Sequence, residues 1–126
     1  MERYLNKYAE KLISQGICDP GSPILAGLDV SLSWNRDGSE REILEQVINS
    51  LNITSLLFAR PSEPYYSMIN SLALKAGNEG AIFPEDSETR TFLHDIPVIH
   101  DFSASSIVSA LKRRKSVYVL DRGIVT

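Results

Sequence analysis

The two histidines of this chain each stand directly before an aspartate, as His94-Asp95 and His100-Asp101. Imidazole and carboxylate are metal ligands, so these four residues offer a candidate metal set. Their spacing is neither three nor four residues, so no helix would present the pairs on one face. The alternative reading places them in partly solvated turns flanking a short strand. Lys112-Arg113-Arg114-Lys115 is the basic run. It could contact nucleic acid, or it could close a helix C-terminus, where cations complement free carbonyls and the helix dipole. Pro64-Tyr65-Tyr66 offers rings that could stack on a ligand or sit at the edge of a core with wet hydroxyls. Glu85-Asp86-Ser87-Glu88 could hold a hard cation, but no oxygen ligands follow at loop spacing, which favours a solvated acidic turn. There is no phosphate-binding loop, dinucleotide fingerprint or Cys-x-x-Cys pair.

The elements that must position these groups alternate between helix and strand. Tyr4, Leu5, Tyr8, Ala9, Leu12 and Ile13 recur at helical spacing, and Gly16 is placed to end that helix. Cys18 to Pro23 reads as a loop. Ile24 to Trp34 alternates as one strand, with Leu28, Val30 and Leu32 on a shared face. Asn35 to Gly38 is a turn, and Ser39 with Glu42 forms a capping-box pattern. The following helix carries Ile43, Leu44, Val47, Ile48 and Leu51 on one face. Ile53 to Ala59 is a buried strand. Ser62 is placed to cap a helix striped by Tyr65, Met68, Ile69, Leu72 and Ala76, ending at Gly77. Ala81-Ile82-Phe83 is a brief strand stopped by Pro84, and Ile96 to Ile99 is another. Ser103 caps a helix carrying Ile107, Val108 and Leu111. Ser116 to Leu120 is a strand, Asp121-Arg122-Gly123 a tight turn, and Ile124 opens a strand at the end of the chain. One-sided apolar faces in this order predict a sheet covered by helices on both faces. Periodicity alone leaves open whether its strands run parallel.

With 126 residues, the chain is long enough for one domain with a core of its own. Its 13 basic and 16 acidic residues give a net charge of −3, which disfavours a globally basic nucleic-acid binder. The lone Cys18 rules out an internal disulfide and fits a reducing compartment. The N-terminus is charged rather than apolar, and no apolar run reaches the roughly 20 residues a membrane span requires. A cytoplasmic protein without membrane or nucleic-acid partners is the expectation.

Taken in order, several segments resemble the class II aldolase/adducin family. The opening helix and Ser31-Leu32-Ser33 are similar to that family's first helix and Asn-Leu-Ser strand. Ser39-Glu40 resembles its Ser-Ser-Glu segment. Leu56 to Arg60, followed by Pro64-Tyr65, resembles a strand ending in His-x-His and then Pro-Tyr. Ile96-Pro97-Val98-Ile99 is similar to an Ile-Pro-Val-Val strand, and Val117 to Val125 to a strand, an Asn-His-Gly turn and a strand. The resemblance implies a single domain over residues 1–126, C-terminally short, folded as a three-layer α/β/α sandwich around a largely antiparallel or mixed sheet. It also implies cleavage of sugar phosphates beside a ketone, with zinc on three histidines, a glutamate moving the proton, and active sites between subunits.

The departures from that pattern are specific. The histidine positions fall on Phe58, Arg60 and Arg122. A phenyl ring has no donor atom, and a guanidinium stays protonated and lends no lone pair. No metal or other cofactor is therefore expected, although zinc serves the related enzymes. Ser31 replaces the motif asparagine, and the long segment between Ser33 and Ser39 is missing. Glu40 or Glu42 takes the position of the catalytic glutamate, with helix capping the expected task of Glu42.

The reading that follows is a degenerate domain of this family without the zinc site. It binds a small phosphate or carboxylate ligand through Ser31, Ser33, Arg60, Ser62, Tyr65 and Arg122, or serves as an oligomeric interaction module. The alternative is a divergent sugar-phosphate aldolase or epimerase-type lyase using Glu40 as base, with arginine stabilising an oxyanion. A strand at Val125 with an unpaired edge would favour a homo-oligomer.

Overall fold

The computed structural model describes residues 1–76, 80–82 and 95–126. Gly77, Phe83, Pro84, the acidic segment from Glu85 to Arg90, and His94 lie outside them. Four described helices flank a seven-stranded sheet of order β2-β1-β3-β7-β6-β5-β4. In chain order these are α1 (Glu2–Ser14), β1 (Ile24–Leu28), β2 (Leu32–Trp34), α2 (Arg41–Ser50), β3 (Ser55–Ala59) and α3 (Tyr65–Ala76). Then come β4 (Ala81–Ile82), β5 (Ile96–Ile99), α4 (Ala104–Leu111), β6 (Val117–Val119) and β7 (Gly123–Val125). Every neighbouring pair is antiparallel except β5 and β6, which run parallel. The expected three-layer α/β/α sandwich with a largely antiparallel, mixed sheet is the fold observed.

Side-chain alternation along the strands separates two cores. Val117, Val119 and Val125 join Ile24, Leu56 and Phe58 on one face, where Leu44, Val47 and Ile48 of α2 and Ile107 and Ala110 of α4 cover them. Tyr118 and Val98 point to the other face, against Ile69 and Ala73 of α3. Gly27 also faces that second side, and its missing side chain makes room for Leu5 of α1 and for Met1 just before it. No described helix is long and apolar enough to cross a membrane.

Several expectations change in detail. Ile24 to Trp34 is a hairpin rather than one strand, with Leu28 opposite Leu32 and Val30 fully exposed at the tip. The turn Asp29-Val30-Ser31 contains no glycine or proline, and its signal, Asp29 and Ser31, is interrupted by a valine that continues the strand alternation. The capping box at Ser39 does not form: α2 starts one residue later, with Glu40 as N-cap and no side-chain cap. Its first turn is instead closed by the Glu40 carbonyl, which accepts from Leu44 N–H at 3.0 Å. Ser62 closes α3 through its carbonyl, accepting from Tyr66 N–H at 3.1 Å. Ser103 caps α4 as expected, its hydroxyl accepting from Ser106 N–H at 3.3 Å. The stripe on α3 is displaced, because Tyr65, Met68 and Leu72 are exposed while Ala73 is buried. Tyr4 and Tyr8 of α1 are exposed as well. β7 lies between β3 and β6 in the middle of the sheet, so it offers no free edge and the edge argument for an oligomer does not hold.

Candidate functional site

The chain leaves β2, β3 and β6 at one common end of the sheet. Ile24 pairs with Phe58 there, and Asn35 N–H donates to Leu25 O just beyond β2. Arg60, the β6–β7 turn and Glu40 therefore gather at this end. Gly123 makes the approach possible, with a φ of 151°. A Cβ at this position would strike the Ala59 carbonyl and crowd Arg60 Cα. Only glycine allows the turn bearing Arg122 to sit so close to the end of β3.

Arg122 is aimed by two partners. Its guanidinium lies 4.8 Å over the Phe102 ring, and that ring meets Phe58 edge-on at 5.1 Å. Nη2 stands 3.8 Å from Glu40 Oε1. That distance is an ion pair without a hydrogen bond, because N–H···O bonds close at about 2.7–3.2 Å. The donors of Arg122 thus remain available, and its side chain is 45% exposed. Glu40 Oε2 lies on the other side of the carboxylate, toward Gly38, where Arg36 Nη1 also approaches.

Arg60 takes a different direction. Its guanidinium stacks 4.1 Å over Tyr66 of α3, while Phe102 and Glu40 belong to the layer of α2 and α4. The two arginines start from adjacent backbone and diverge toward opposite faces of the sheet. The backbone of Arg60 is fixed by Ser22, whose hydroxyl donates to Arg60 O and accepts from Arg60 N–H, both at 3.0 Å. Arg36 in turn anchors that loop, donating to Ser22 O at 2.7 Å and Pro23 O at 3.2 Å.

On the α3 side, Asn70 organises the turn. Its Oδ1 accepts from Tyr118 Oη at 2.8 Å and from Asp121 N–H at 3.0 Å, and Nδ2 donates to the Asp121 carboxylate at 3.1 Å. Burial and the neighbouring Tyr66 and Asp121 push the Tyr118 hydroxyl up to about 12.

The remaining sequence candidates are dispersed. Ser31 sits in the hairpin tip, and Ser33 pairs with Gly27, which is opposite Ser55 at the start of β3. Both are therefore near the far end of the sheet from Arg60 and Arg122. Ser33 instead borders a polar recess with Arg36, Asp37 and Arg41. Ser62 is buried and Tyr65 exposed at the start of α3. Asp101 accepts from Ser103 and Ser106 at 2.5 and 2.9 Å, and these bonds hold its carboxyl below the usual range. Among the described residues, no cluster of His, Cys, Asp and Glu is arranged for a metal. The zinc of the resembled family would need three imidazoles where Phe58, Arg60 and Arg122 stand, and none of these side chains offers a lone pair. The residues present do not fit that ion.

Asn70, Phe102, Ser22 and Arg36 were not singled out from sequence. An asparagine inside an apolar helix was the available signal for Asn70, since amide side chains are poor in helix interiors unless bonded elsewhere.

The architecture is that of the class II aldolases. The chain is similar to the crystal structure of l-fuculose-1-phosphate aldolase from Thermus thermophilus, with a TM-score of 0.74 and 15% identity over 100% of this chain and 80% of that one. It is similar to a second L-fuculose 1-phosphate aldolase structure, with a TM-score of 0.73 and 13% identity over 99% of this chain and 73% of that one. No family model and no curated protein matches. At these identities the likeness establishes the fold, and the adducin side of the resemblance has no match behind it.

Proposed function

We propose that this domain binds a small hydroxylated anion, such as a sugar phosphate or hydroxy acid, beside Glu40 and Arg122, and does so without zinc. The observation that carries the reading is the 3.8 Å pair of an exposed guanidinium and a carboxylate at the end of the sheet. Phosphate or carboxylate oxygens suit the free donors of Arg122, which can engage them two at a time. A hydroxyl on the same ligand can donate to Glu40, offsetting the repulsion its carboxylate would exert on the anion. Stacking on Phe102 holds the guanidinium plane, so lysine is not an equivalent replacement.

Calorimetric titration of the whole chain with L-fuculose 1-phosphate, glycerol 3-phosphate and inorganic phosphate tests this. The two hydroxylated esters bind more tightly than phosphate. Arg122→Gln weakens them by tenfold or more, in line with the roughly 1.5–3 kcal/mol of a charged hydrogen bond. Ester binding unchanged in Arg122→Gln removes the proposal. A lyase reading rests on the same juxtaposition, with Glu40 as base and Arg122 facing a developing oxyanion. Turnover of L-fuculose 1-phosphate that survives a chelator and is lost in Glu40→Gln would favour it.

A homo-oligomeric role has its own support. Tyr4 and Tyr8 on α1 and Tyr65, Met68 and Leu72 on α3 leave large apolar groups exposed on the same helical layer. Exposed apolar groups are where chains associate when they gather into a patch.

A further inference from the structure

The geometry points to a second ligand site, at the opposite end of the sheet, that takes a small amphipathic anion: an aromatic or short acyl body carrying a sulfonate, phosphate or carboxylate. A cleft of about 430 Å³ opens there between the C-terminal ends of α2 and α4. That volume falls within the roughly 300–1,000 Å³ of small-molecule sites. Leu51, Ile53, Leu56 and Leu111 supply its apolar wall, and Lys112, Arg113 and Lys115 its basic rim.

The helix end accounts for only part of this positive charge. Two of its last four carbonyls are closed by backbone: Lys112 N–H donates to Val108 O at 3.0 Å, and Arg113 and Arg114 N–H donate to Ala110 O at 3.1 and 3.0 Å. Of the four basic side chains, Arg114 alone folds back, pairing with Asp95 and donating to Arg113 O at 2.9 Å. Lys112, Arg113 and Lys115 are exposed, and no carboxylate among the described residues pairs with them. A helix C-terminus supplies only about half a negative charge, so positive charge is left over on this rim. The chain as a whole carries a net charge of −3, which makes a local cationic rim a departure from its surroundings. An apolar wall alone would not select an anion, and a basic rim alone would not need one with a hydrophobic body. The two together select an amphiphile.

Amide-resolved NMR titration of the intact chain at low salt tests the assignment, with 8-anilinonaphthalene-1-sulfonate as probe and sodium sulfate as the head group alone. The probe is expected to shift the amides of Asn52, Ser55 and Lys112 to Lys115 saturably, and sulfate to show no saturation over the same range. The variant K112Q/R113Q/K115Q weakens the probe at least tenfold with an unchanged melting temperature, because the replaced side chains are exposed. Arg122→Gln leaves probe binding intact, which separates this site from the one at Glu40. Absent binding, shifts confined to the Tyr4 and Tyr8 face, sulfate binding as tightly as the probe, or undiminished affinity in the triple variant would each overturn the assignment.

Discussion

Asn70 grips Asp121 through both ends of its amide: Oδ1 accepts from the Asp121 backbone N–H at 3.0 Å, and Nδ2 donates to the Asp121 carboxylate at 3.1 Å. Asp121 occupies the left-handed region with φ at 63°, a conformation that a non-glycine residue holds at some cost. The amide on α3 thus stabilises the turn from which Arg122 projects, across a sequence separation of 51 residues.

Replacing Asn70 with Ala removes the acceptor for both the Tyr118 hydroxyl and the Asp121 N–H. Tyr118 is fully buried, so its hydroxyl would be left without a partner. The expected loss is about 1–3 kcal/mol of stability, read by urea denaturation. A midpoint equal to that of the unmodified chain would refute the role given to Asn70.

Gly123→Ala is expected to cost on the order of 3 kcal/mol, combining backbone strain with collision against the Ala59 carbonyl. Relief of that collision must move the β6–β7 turn away from β3, so binding of glycerol 3-phosphate should weaken along with stability. Thermal melts and titration of the same sample check both effects. A variant as stable as the parent would show that the turn has room the geometry denies it.

Stability should fall as the solution becomes strongly alkaline. Tyr118 has its folded value raised from the ordinary 10 to about 12, mainly by burial. In the folded state it therefore keeps its proton where the unfolded chain releases it. Its contribution is complete below about pH 10 and is lost as pH rises toward 12. Denaturation at pH 9 and pH 11 reads the difference, and Tyr118→Phe should flatten that part of the profile. An equal slope in the two proteins would exclude Tyr118 as its source.

Much of the fold was legible because its signals are local. The helix stripe from Ile43 to Leu51, the Ser103 cap and the β-branched strand from Val117 each follow from nearest-neighbour spacing. The hairpin at Asp29 to Ser31 was hidden because a valine at its tip continues the alternation of a single strand. The exposed faces of α1 and α3 were misjudged because periodicity says which residues share a side and not what covers that side. At the site, the end-of-strand position of Arg60 and Arg122 was readable from order alone. Their divergence was not, since it depends on Tyr66 and Phe102, two rings that the sheet brings in from opposite layers. Glu40 was found through the family resemblance, while Asn70 acts over a separation that no spacing rule reaches.

Phe58 is 5% exposed and braced against Phe102 inside the larger core. Histidines placed at 58, 60 and 122 would therefore not form a chelate. The first imidazole would be entombed among aliphatic groups, and its nitrogens would exchange water for hydrocarbon. Metal chemistry at this end of the sheet is barred by the interior as well as by the mouth of the cleft, and would require remodelling of the hydrophobic layer before any ligand could be gained.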